Sequence, residues 1–258
     1  MKRRQLMRYA QTSLLAALAT TLPSGWQSYQ AQTSNGLSVQ WLGHTCFLFT
    51  GDGLKVLVNP FRPIGCTAGY RAPNVATDLI LISSRLLDEG AIEGFSNNPG
   101  LLYEPGVFQF NGMRIEGINT QKDREGGRRF GMNVAWMWKQ AGVKILHLGG
   151  IAGQIEIEQQ ILLGRPDLLL IPVGGGPKAY TPEEAKKTVE LLKPKMVIPT
   201  HYKTPAADAA ACDLVSLDDF LALMSGTPVR RIDRDTIALK PADLPDNGSV
   251  IEVLSYRF

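Results

Sequence analysis

Histidine, the side chain that moves protons and holds metals near neutral pH, is scarce in this 258-residue sequence. The three histidines, His44, His147 and His201, each flank the end of an apolar run. Asp88 and Glu89 follow the run Leu79–Ile82, with Ser84 between, and Lys122 lies in the charged stretch Gln121–Arg129. Neutral imidazoles and carboxylates that converge on one point are the donors of hydrolytic metal sites, where a divalent cation makes water nucleophilic near neutral pH. A second chemistry would use Ser84 or Cys66 as nucleophile with His147 or His201 as base. No Ser-His-Asp order and no nucleophile elbow supports it. Gly174-Gly175-Gly176 either lets backbone approach a ligand or forms a plain tight turn. It lacks the Gly-Lys-Ser/Thr of a phosphate-binding loop.

The elements that must position these residues are readable from apolar patterning. Short strands are predicted over Leu37–Leu42, Cys46–Thr50 and Leu54–Asn59, separated by turn signals such as Gly51-Asp52-Gly53. Leu79–Ile82 and Leu168–Val173 are uniformly apolar, as strands buried on both faces are. The middle is strand-rich: Leu101–Tyr103, Val107–Phe110, Met113–Ile118, Val134–Trp138 and Val143–Leu148. Helices are expected over Leu86–Phe95, Ile155–Leu163, Pro182–Leu192 and Leu217–Met224. The third opens on Thr181-Pro182-Glu183-Glu184, an N-cap threonine, a proline at the first helical position and acids in the first turn. Met196–Pro199, Ile237–Leu239 and Ile251–Ser255 read as strands. A strand-rich first half followed by alternation predicts a layered α/β protein.

The formal charge of +3 is concentrated at the start of the chain. Lys2, Arg3, Arg4 and Arg8 precede the first acidic residue, Asp52. Without those four, 23 basic residues face 24 acidic ones, so the body has no basic excess to attract nucleic acid. Arg3-Arg4 ahead of the short apolar stretch Ser13–Leu22 resembles a twin-arginine export signal. Residues 1–31 are therefore expected to be leader and linker, and 32–258 a single domain in a periplasm or equivalent lumen. The apolar stretch is too short for a membrane span, so no transmembrane segment is expected in the mature protein. Cys46 sits in the alternating run Cys46-Phe47-Leu48-Phe49 and reads as a buried apolar residue.

Five segments carry a resemblance: Gly43-His44-Thr45-Cys46-Phe47, Val56–Phe61, His147-Leu148-Gly149-Gly150, Ile171–Gly175, and Ile198-Pro199-Thr200-His201-Tyr202. In order and spacing they resemble the metallo-β-lactamase superfamily, in its ascorbate-6-phosphate lactonase-like branch. The resemblance implies an α/β fold, a metallo-β-lactamase-like αββα sandwich, over roughly residues 37–204, with the site along one edge at strand ends. It also implies that this chain has lost ligands. Against Thr-His-x-His-x-Asp-His, Ser84 and Leu86 stand at the first two histidines, Asp88 matches, and Glu89 replaces the last histidine. Lys122 stands at a further ligand histidine, Gly150 at a bridging aspartate and Asn59 at another aspartate, while His201 is retained. The implied pocket is His44, Asn59, Ser84, Asp88, Glu89, Lys122, His147 and His201.

An ammonium at position 122 opposes a divalent cation. Lys122 either pairs internally with Asp88 and Glu89 or extends to solvent from its charged loop. No tightly bound metal or other cofactor is expected on this reading. The chain would then be a non-catalytic, exported protein binding an unidentified small molecule or protein partner. The alternative is a metal-dependent lactone or phosphoester hydrolase with a sparse mononuclear site of Asp88, Glu89 and His201 holding zinc or manganese weakly. Cys66 and Cys212 lie in loops expected on the strand-end rim, and a disulfide between them is expected in an oxidising compartment.

Overall fold

The structure is a computed structural model and describes residues 36–256. The expected export leader lies outside the described residues. Two sheets organise the chain. The first runs in the order β13 (Thr236–Leu239), β1 (Leu37–Gly43), β2 (Cys46–Gly51), β3 (Leu54–Val58), β4 (Leu79–Leu81), β5 (Gly100–Leu102). The second has eight strands: β12 (Val229–Ile232), β14 (Val250–Leu254), β11 (Met196–Thr200), β10 (Leu168–Pro172), β9 (Val143–His147), β8 (Met132–Gln140), β7 (Met113–Gln121), β6 (Gly106–Phe110). Three α-helices are present among the described residues: α1 (Ile157–Leu163), α2 (Pro182–Leu192) and α3 (Leu217–Leu223).

The patterning explains the layers. β1 alternates buried and half-buried residues, with Leu37, Val39 and Trp41 turned inward. These meet Phe47, Phe49, Ile115, Trp136 and Ile145 in the core between the sheets. β4, β10 and β11 are buried at every position and pair in parallel with their neighbours, as strands covered on both faces do. The helices pack on the other face of the eight-stranded sheet. Leu163 of α1, Val189 of α2 and Phe220 of α3 join Leu146, Leu169 and Val197 in a second apolar cluster. Thr181 caps α2 as its sequence predicts, accepting from the N–H of Glu184.

One local expectation is corrected, and one strand is added. Leu86–Phe95 is not a helix but a series of turns. One helical turn forms, with Gly90 N–H donating to Leu86 O at 2.7 Å, and the next backbone groups bond elsewhere. Ala91 N–H donates to Pro60 O and Arg62 N–H to Leu87 O, each at about 3 Å. Two glycines, at 90 and 94, weaken helix propensity enough for those tertiary bonds to win. Strand β12 carries no sequence expectation, because its Val-Arg-Arg-Ile is mostly exposed at a sheet edge and shows no apolar alternation.

The strand order places the chemistry. His44 lies in the β1–β2 turn, Asn59 just past β3, Ser84 past β4, Lys122 past β7, and Gly150 and His201 past β9 and β11. No helix among the described residues is long and apolar enough to cross a membrane.

Candidate metal centre

Three residues on separate strand ends hold a left-handed backbone: His44 at φ 53°, Asn59 at φ 52° and His201 at φ 52°. For residues with a Cβ this conformation is costly and is kept only where the surroundings enforce it. For His201 the enforcing contact is visible. A Cβ at Gly174 would overlap His201 O and lie 2.7 Å from Tyr202 Cα, so only glycine allows this approach. For His44, the Trp41 indole N–H donates to His44 O at 3.1 Å and fixes the turn.

These two turns bring His44 and His201 together, with ring centroids 4.1 Å apart. Asp88 completes the group: one donor atom from each of His44, Asp88 and His201 lies within 4.8 Å of the others. His44 Nε2, His201 Nδ1 and Asp88 Oδ1 are buried and have no hydrogen-bond partner among the described residues. Unpartnered buried polar atoms are uncommon, and one on each member of a three-residue donor cluster fits a cation. Burial lowers the pKa of His44 to about 4 and that of His201 well below its ordinary value, so both imidazoles are neutral and able to ligate. Burial disfavours the Asp88 carboxylate, but the charges of Lys122 and Lys178 outweigh it and hold the pKa below the usual range. The donor set therefore fits one divalent transition metal, and the expectation of a pocket built without a metal gives way to it.

The other expected residues take different parts. Glu89 is not in the three-residue cluster. It is fully buried, accepts from Ser84 Oγ at 3.1 Å, and pairs with the Lys122 ammonium. Lys122 is itself fully buried and does not extend to solvent. Asp88 pairs instead with Lys178, a residue the sequence analysis passed over; the only signal was a lysine closing Gly174-Gly175-Gly176-Pro177-Lys178. Arg124 braces that loop, donating to Gly176 O at 2.9 Å and Ala179 O at 3.0 Å. His147 is occupied at both ring nitrogens: Gly149 N–H donates to Nδ1 at 3.1 Å, and Nε2 lies 3.0 Å from Thr45 O. Those partners assign the Nε2–H tautomer, and His147 is a brace between the sheets. Asn59 is a brace as well, its Oδ1 accepting from Ser83 N–H at 2.8 Å.

Above the cluster opens a cavity of about 710 Å³. His44, Asp88 and His201 meet Leu86, Phe130 and Lys178 on its lining. The disulfide Cys66–Cys212 also lines it, with Cα atoms 4.7 Å apart, and ties together two loops of its wall. Cys46 is a buried free thiol.

Comparison with known proteins agrees with this frame. The model of a beta-lactamase superfamily domain matches residues 38–201. A metal-dependent hydrolase from Archaeoglobus fulgidus is 26% identical over 80% of this chain and 97% of its own length. One from Pelotomaculum thermopropionicum is 31% identical over 65% of this chain and 85% of its own. A solved structure from Thermotoga maritima, described as a candidate zinc-dependent hydrolase of the metallo-β-lactamase superfamily, superposes with a TM-score of 0.67. It is 28% identical and covers 85% of this chain and 100% of its own.

Proposed function

The chain belongs to the metallo-β-lactamase superfamily, and on that premise we propose that it is a metal-dependent hydrolase with a sparse mononuclear centre. His44, Asp88 and His201 would hold the metal. The observation that carries this reading is their convergence, with unpartnered buried donor atoms, at the floor of an open cavity. Of the expected ligands Asp88, Glu89 and His201, the first and last stand in this cluster with His44, while Glu89 pairs with Lys122.

A zinc or manganese ion bound there would supply a Lewis acid that polarises a carbonyl or phosphoryl oxygen and lowers the pKa of water. The chain's own residues do the rest. The two neutral histidines and the ionised Asp88 present lone pairs rather than protons. Leu86 and Phe130 give the cavity apolar wall, which strengthens electrostatic interactions beside it. Lys178 reaches the cavity and is placed to donate to an anionic substrate oxygen. Lactones and phosphoesters are the substrate classes this arrangement suits.

The test pairs elemental analysis of protein purified without chelator with lactone and phosphodiester assays in added zinc or manganese. About one metal per chain, with turnover abolished by His201→Ala, is expected. Metal far below stoichiometry together with no turnover would replace the hydrolase with a ligand-binding protein.

A further inference from the structure

Glu89 is a fourth donor beside a three-donor cluster. Its side chain is fully buried, and Oε2 is engaged by Ser84 and Lys122. Oε1 has no hydrogen-bond partner among the described residues and lies 3.9 Å from His201 Nδ1. That separation is too long for a hydrogen bond, yet short enough for both atoms to reach one cation. The ammonium that restrains Glu89 is itself fixed. Lys122 follows the end of β7, and its backbone N–H donates to Gly131 O at 3.3 Å. Its nitrogen fills the space next to Gly150: a Cβ there would overlap Lys122 Nζ and lie 2.6 Å from Glu89 Oε1. A glycine at 150 is what lets the lysine reach the carboxylate.

We propose that Lys122 is a positioning residue that withholds Glu89 from the metal, keeping the centre at three protein ligands with one position open to substrate. This rests on the metal reading above. The physical reason is coordination. Four protein ligands close a tetrahedral site, as in structural metal centres, whereas catalytic sites hold the ion with three and leave a position free. With Glu89 Oε1 3.9 Å from His201 Nδ1, a side-chain rotation would bring the carboxylate to an ion held by that nitrogen. Its bond to a buried ammonium is what opposes that rotation. Lys122 thus acts through Glu89 and touches neither metal nor substrate.

Cobalt(II) binding followed by visible absorption tests this in the full chain, using wild type, Lys122→Met, Glu89→Gln and the double variant. Wild type and the double variant should bind cobalt with similar affinity and the same spectrum, still shifted by added azide. Lys122→Met should bind at least about tenfold more tightly, the scale on which neighbours of metal ligands act. Its spectrum should change and no longer respond to azide. Glu89→Gln alone should keep the wild-type spectrum, a readout that stands even where Lys122→Met folds poorly. Tighter binding without a spectral change would mean only a field effect and would overturn the proposal. So would a changed cobalt spectrum in Glu89→Gln, which would make Glu89 a ligand already. Absence of cobalt binding in wild type would instead sink the metal reading itself.

Discussion

Gly150→Ala tests the packing beneath the site. The added methyl carbon would overlap the Lys122 ammonium, lie 2.6 Å from Glu89 Oε1 and 3.1 Å from Lys178 O. Lys122 and Glu89 are both fully buried, so neither can retreat to water without opening the core. The ion pair must separate or the β9 end must move. Breaking a buried pair costs about 3–5 kcal/mol, because the partners are left as uncompensated charges. For a domain of this size each kcal/mol moves Tm by roughly 2–4 °C, so a fall of about 6–20 °C is expected. Urea unfolding of metal-free protein, read by tryptophan fluorescence, gives the free energy directly. In a Lys122→Ala, Glu89→Ala background the overlapped atoms are gone, and Gly150→Ala should cost about 1 kcal/mol or less. A loss under about 0.5 kcal/mol in wild type, or an equal loss in both backgrounds, would refute the assignment of the ammonium to this space.

Burial lowers His147 to about 4 from its ordinary 6.5. Between those values the unfolded chain binds a proton that the folded chain does not, so stability falls as pH drops from about 6.5 toward 4 and levels off below. His147 contributes up to about 3 kcal/mol to that fall, and His147→Gln should flatten it; an unchanged slope in urea midpoints at pH 7 and 4.5 would count against the buried neutral tautomer. The double variant Cys66→Ser, Cys212→Ser should lose about 2–4 kcal/mol of stability. Thiol titration of unfolded wild type should find one thiol without reductant and three with it, and three without reductant would contradict the bridge.

The sequence by itself determined every strand but β12, the start of α2 and the strand-end positions of the three histidines. Runs such as Leu168–Pro172 and the cap at Thr181 are local signals, fixed by residue type and short-range hydrogen bonding. It also marked Ser84, Lys122 and Gly150 as departures from a metal-hydrolase pattern. The tertiary structure alone decided which donors meet. His44 and His147 look alike in sequence, each beside a strand end and a glycine. One turns into the cavity on a left-handed backbone, while the other is spent on Thr45 O and Gly149 N–H. The pairing of each acid was equally hidden: Lys122 takes Glu89 across 33 residues and Lys178 takes Asp88 across 90. Leu86–Phe95 shows the same limit, since its backbone is claimed by Pro60 and Arg62. Strand register and sheet packing set these distances, and neither is encoded in the spacing of residues along one segment.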